Sequence, residues 1–83
     1  MFRYNKGMNQ SRLQTPELIR AMRDRLGISQ EKLAARLGVS FQTVNRWERG
    51  RANPSPMAMT LIEQQIRQMG ERGQDLLETY FLP

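Results

Sequence analysis

Cysteine and histidine are both absent from the 83 residues, and the two absences remove much chemistry at once. Without thiols there is neither a disulfide nor a thiolate metal site, which fits a reducing cytoplasm. Without imidazole the chain lacks the commonest general base and the commonest metal ligand. No apolar run approaches the roughly 18 residues a membrane helix needs, and the N-terminus has no apolar signal core. Nor can a nucleophile–base pair or a ligand cluster be drawn from the residues that remain. The expectation is a cytoplasmic, non-enzymatic protein with no metal, no cofactor and no membrane partner. Its length suffices for one domain with one modest core.

What the chain does have is positive charge. There are 13 basic against 8 acidic residues, a net of +5, unevenly placed. Residues 1–70 carry +7 and residues 71–83 carry −2. A basic body of this kind points to a polyanion, most often nucleic acid, although a merely solvated basic surface has the same composition.

The stretch from Ser29 to Gly50 organises the rest. Leu33, Ala34, Leu37, Gly38, Val39, Val44 and Trp47 hold small or apolar side chains at the spacing of two short helices joined by a tight turn. Such helices cross steeply, so Ala34 is small enough for the crossing. Gly38 ends the first of them, where a left-handed backbone strains other residues. Ser40 caps the second by accepting from free amide groups. Leu33, Leu37, Val44 and Trp47 face inward. The ordered set is a helix-turn-helix.

On either side the punctuation is equally clear. Residues 1–14 have no period and read as an irregular arm, within which Met8 is either an alternative start or an ordinary residue. Thr15-Pro16-Glu17 starts a helix whose apolar face holds Leu18, Ile19, Met22 and Leu26, up to Gly27. Ser29 caps Gln30 to Leu37, and Ser40 caps Phe41 to Arg49. After the loop from Gly50 to Pro54, Ser55-Pro56 repeats the cap-and-proline start. Met59, Leu61, Ile62, Ile66 and Met69 then form a stripe to Gly70, and a last short helix covers roughly Gly73 to Phe81. The six methionines read as core filler on the first and fourth helices. The fold class is all-α, a bundle of about five short helices. The domain is placed at 15–70 and a helical tail at 71–83.

With these helices in order, the chain resembles the phage repressor and Cro family of helix-turn-helix proteins. Gln30 to Ala34, Gly38-Val39-Ser40, Val44 to Glu48, Gly50, Pro54 and Ser55-Pro56 carry the likeness, which covers about residues 15–70. The tail from Glu71 departs from larger members that append a sensor or oligomerisation domain, so a ligand-sensing role is not implied. The resemblance implies double-stranded DNA as partner, with the third helix in the major groove. On that helix Phe41, Gln42, Asn45 and Arg46 share the groove-facing side and are the base-contact candidates. An ordinary solvated face is one alternative, against which an exposed Phe41 argues; a separate one is that Phe41 folds back on the second helix. Gln30 matches the family position that holds a phosphate, and Thr43, Arg49, Arg51 and Asn53 lie where the helix and following loop should meet the backbone. Arg23 and Glu48 match a structural ion pair between the first and third helices.

A regulator of this kind is expected to bind a roughly palindromic operator as a homodimer, repressing by occupancy or recruiting polymerase by contact. Leu76, Leu77, Tyr80, Phe81 and Leu82 are the expected dimerisation segment; the alternative is that Leu76, Leu77 and Tyr80 close the core of a monomer. Two rival functions use the same helices: an antitoxin that binds a toxin and autoregulates, and a helical protein-interaction module without DNA binding. Acidic or apolar residues at Gln42, Asn45 and Arg46 would favour the module, and these positions hold neither.

Overall fold

Three serines set the helix starts. In the computed structural model, which describes residues 15–81, the side chain of Ser29 accepts from the Lys32 amide, Ser40 from Thr43 and Ser55 from Ala58, each at 3.1 Å. Each cap satisfies an amide that the helix cannot, a gain of about 1 kcal/mol apiece. They open α2 (Gln30–Leu37), α3 (Phe41–Glu48) and α4 (Pro56–Gln68). Ahead of them α1 spans Thr15–Leu26, with Thr15 inside the helix and buried. After α4 a 3-10 turn, Gly70–Gly73, leads into α5, Gln74–Tyr80. No strand occurs among the described residues, and no helix among them is long and apolar enough to cross a membrane. The arm at 1–14 and Leu82 lie outside the described residues.

Gly38 makes the sharp turn between α2 and α3 possible. Its φ of 73° is one that side-chain-bearing residues rarely adopt. With the backbone so placed, the Val39 amide donates to the Ala34 carbonyl at 3.0 Å and the Gly38 amide to Ala35 at 3.3 Å. These bonds close the end of α2, and only Val39 and Ser40 separate Gly38 from α3. Ala34, 3% exposed, sits within the core beneath this turn.

Every helix contributes to one core. Leu18, Ile19 and Met22 come from α1, Leu33, Ala34 and Leu37 from α2, and Val44 and Trp47 from α3. Ala58, Ile62 and Ile66 come from α4, and Leu76 and Leu77 from α5. These last two, named above within the expected dimerisation segment, lie in the core of the single chain. Leu76 and Leu77 are 4% and 5% exposed because α5 folds back on α4 and α1, so their area is already used within the chain. Tyr80 and Phe81 are half-buried against the same core. Methionine also divides: Met22 is fully buried and Met59 and Met69 partly, but Met57 is 75% exposed in the first turn of α4.

Gly73 lets the last turn close. A β-carbon there would lie 2.6 Å from the Ile66 carbonyl oxygen and 2.9 Å from the Ile66 Cγ2, so the 3-10 turn approaches α4 at a distance only glycine allows. On the outside Arg25 grips Asp75 with both nitrogens, one contact measuring 2.9 Å, and donates to the Arg72 carbonyl at 2.8 Å, while Arg72 donates back to the Arg25 carbonyl. These exposed bonds orient α5 more than they stabilise it. Gly73→Ala should therefore lower stability by about 1–3 kcal/mol through overpacking. Denaturant unfolding of the two chains measures this, and equal midpoints would contradict the close approach.

Candidate nucleic-acid interface

The eight residues of α3 separate into faces of different chemistry. Inward lie Val44, Trp47 and Glu48, all buried. Outward lie Phe41, Gln42 and Arg46, all exposed, with Thr43 and Asn45 half-buried beside them. The result is a helix whose single acid is turned away from its open face. Phe41 keeps 46% of its surface exposed at the first helical position, so its ring is not folded away into the core. Among the described residues, the side chains of Gln42, Arg46, Arg49, Arg51 and Asn53 have no partner.

Glu48 is held by groups from three elements. Arg23 Nε of α1 lies 2.5 Å from its Oε2, and Arg23 Nη2 lies 3.0 Å from Oε1. Gln30 Nε2 of α2 donates to Oε1 at 3.0 Å. The chain of bonds continues outward, because Asn45 Nδ2 donates to Gln30 Oε1 at 3.2 Å. At the same helix end Arg20 donates to the Glu48 carbonyl at 2.7 Å, satisfying one of the carbonyls that α3 leaves open. Arg23 also donates to the Ile28 carbonyl at 3.1 Å, tying down the loop before α2. Burial pushes the Glu48 carboxyl up, but hydrogen bonds from Arg23 and Gln30 and the charges of Arg23 and Arg20 outweigh it. The carboxyl is held below its ordinary pKa, and Arg23 is raised by its bond to Glu48 against a smaller burial effect.

The remaining residues singled out from sequence fall around this helix. Gln30 is the first residue of α2, beside the Ser29 cap, with its amide group shared between Glu48 and Asn45. The Thr43 hydroxyl pairs with Ser40 Oγ at 2.9 Å, so it shares in the cap of α3. Arg49 caps the end of α3 instead of continuing it, one residue short of the helix expected from sequence. Beyond it the Arg51 amide donates to the Arg46 carbonyl at 2.9 Å, which turns the loop back along the helix. A cavity of about 230 Å³ is lined by Gly50, Arg51, Ala52 and Asn53. Arg46, Arg49 and Arg51 are all exposed, so the end of α3 and its loop present guanidinium groups to solvent. No group of three or more acidic, His or Cys residues that could hold a metal ion occurs among the described residues.

A helix-turn-helix family model matches residues 19–67, from the second turn of α1 through nearly all of α4. The chain belongs to the helix-turn-helix family. A 38-residue stretch is 53% identical to a protein of Methanothermobacter thermautotrophicus described as an HTH-type transcriptional regulator. That stretch is 46% of this chain and 55% of the other, so the chain spans about half the length of the curated relative it matches. No solved structure matches it.

Two features of this helix-turn-helix were not read from its sequence. Arg20 lies three residues before Arg23 and therefore on the same side of α1, a spacing that places both at the end of α3. The bond from Asn45 to Gln30 joins residues 15 apart, and only the crossing of α2 and α3 brings them together.

The depressed carboxyl of Glu48 carries a pH signature. A carboxylate whose folded pKa lies below its unfolded value of about 4.3 adds stability above that value. The contribution is lost as pH falls through the folded pKa. Glu48→Gln should therefore cost about 1–3 kcal/mol near pH 7, as expected for bonds to a charged group. The gap to the native chain should close in acid, and urea unfolding across pH 7 to 3 checks both. A gap that widens in acid would reverse the sign assigned to Glu48.

Proposed function

We propose that the protein is a DNA-binding transcriptional regulator that places α3 in the major groove of a short operator. The observation that carries this is the division of α3: its acid is buried and paired, while its open face holds Phe41, Gln42, Asn45 and Arg46. Gln and Asn amides match the edge of adenine, a guanidinium matches guanine, and an aromatic ring can touch a thymine methyl. Gln30 at the start of α2 and Arg49, Arg51, Thr43 and Asn53 flank this face and are the proposed phosphate contacts. Membership in the helix-turn-helix family supports the same reading, as does the description of the Methanothermobacter relative.

One short helix reads only a few base pairs, too few to select a site in a genome. We therefore propose binding as a homodimer, with half-sites about one helical turn apart. Leu76 and Leu77 belong to the core, which leaves half-buried Tyr80 and Phe81, together with Leu82, as the proposed contact. Equilibrium sedimentation at micromolar concentration should show a dimer that the double substitution Tyr80→Ser, Phe81→Ser weakens. A chain that stays monomeric both free and on its operator would sink this part of the proposal.

Selection of bound duplexes from random DNA should yield a defined site. On that site Arg46→Ala should cost about 1–3 kcal/mol and relax preference at one or two positions. Arg51→Ala should instead weaken all sequences about equally and reduce the log–log salt slope by about one per chain. Identical effects of the two substitutions across a panel of sites would contradict the division into base and phosphate contacts.

A further inference from the structure

On the side of the molecule formed by helix ends, a second cavity has a lining unlike the first. It occupies about 260 Å³ and is bounded by Leu26 at the end of α1, Arg36 in the last turn of α2, Gln65, Gln68 and Met69 at the end of α4, and Arg72 in the 3-10 turn. No residue of α3 or of the loop after it contributes. Leu26 and Met69 supply apolar wall and are half-buried. Among the described residues the side chains of Arg36, Gln65 and Gln68 have no partner, and Arg72 is engaged only with Arg25. No acid is among the lining residues. Asp75, three residues beyond Arg72, is already gripped by Arg25.

We propose that this cavity binds a small organic carboxylate with an apolar body. The two guanidinium groups suit a carboxylate, which a planar fork of N–H donors grips with paired bonds. The glutamine amides add neutral donors that turn with the ligand, and Leu26 and Met69 cover its apolar part. Four of the six lining side chains are polar and two are apolar, so charge and hydrogen bonds lead the recognition and the apolar wall supplements them. The volume sets the size. At roughly 30 Å³ per water-sized unit, it holds a ligand of about nine non-hydrogen atoms. Inorganic phosphate satisfies the charge but leaves the apolar wall uncovered. A long fatty acid exceeds the space. The site does not rest on the reading of α3, and binding here is measured without DNA.

Benzoate has the required carboxylate, ring and size and serves as the probe. Titrated into the full chain under nuclear magnetic resonance, it should move the amide and side-chain signals of Leu26, Arg36, Gln65, Gln68, Met69 and Arg72 in a saturable way. Half-saturation is expected near 1 mM or below. Phosphate at the same ionic strength should bind at least tenfold more weakly. Arg36→Gln preserves helix propensity and should weaken benzoate at least tenfold with the spectrum otherwise unchanged. Lys32→Gln, which removes the same charge from an exposed position on α2 outside the cavity, should leave benzoate binding as it was. Three results would overturn the proposal: shifts that never saturate, phosphate binding as tightly as benzoate, or equal loss in the Arg36 and Lys32 variants. If Arg36→Gln perturbs the fold, Gln65→Leu replaces it, with the same loss expected and unchanged affinity counting against the site.

Discussion

The buried carboxylate of Glu48 is the constraint on which the rest of this structure depends. A charge at 5% exposure is tolerated only when donors surround it, and here they come from α1 and α2 while the acid itself ends α3. The helix pair and the helix before it are thus tied at one point. Apolar packing brings these helices together but leaves their rotation loosely specified, whereas a two-pronged Arg23–Glu48 bond accepts one orientation. Arg20 adds a second tie at the same end by donating to the Glu48 carbonyl.

From that point the order runs outward to the surface. Gln30 is fixed by Glu48, and Asn45 is fixed by Gln30, so one residue of the open face of α3 inherits its position from the interior. Phe41, Gln42 and Arg46 have no such tether. The face therefore combines a preset amide with side chains free to adjust, a combination suited to a rigid register and adaptable contacts. The cationic groups at the end of α3 and in its loop stay exposed because the one acid of the helix is spent inside.

The tail has a structural part beyond its charge. α5 completes the core with Leu76 and Leu77, and Gly73 permits the approach to α4 that puts them there. The same folding back forms the edge of the Arg36–Arg72 cavity, since Arg72 sits in the turn that precedes α5. A segment with two acids more than it has bases thus lies against the helix bundle, held by Arg25, without lining the open face of α3.

Much of this was legible in the chain itself. Ser29, Ser40 and Ser55 announce helix starts, Gly27, Gly38 and Gly70 announce ends, and the apolar spacing names the buried faces, because caps, turns and helical period are local properties read within a few residues. Met57 and the pair Leu76 and Leu77 show where this stops. Composition calls all three apolar, but whether each meets the core or solvent depends on how α4 and α5 are rotated and where the chain folds back. The link from Asn45 through Gln30 to Glu48, and the cavity shared by Leu26, Arg36, Gln65, Gln68, Met69 and Arg72, join residues far apart in the chain. Sequence alone determined the helices and the turn between the second and third. Tertiary structure decided which side chains share a site, because helix crossing brings together groups whose spacing along the chain has no period.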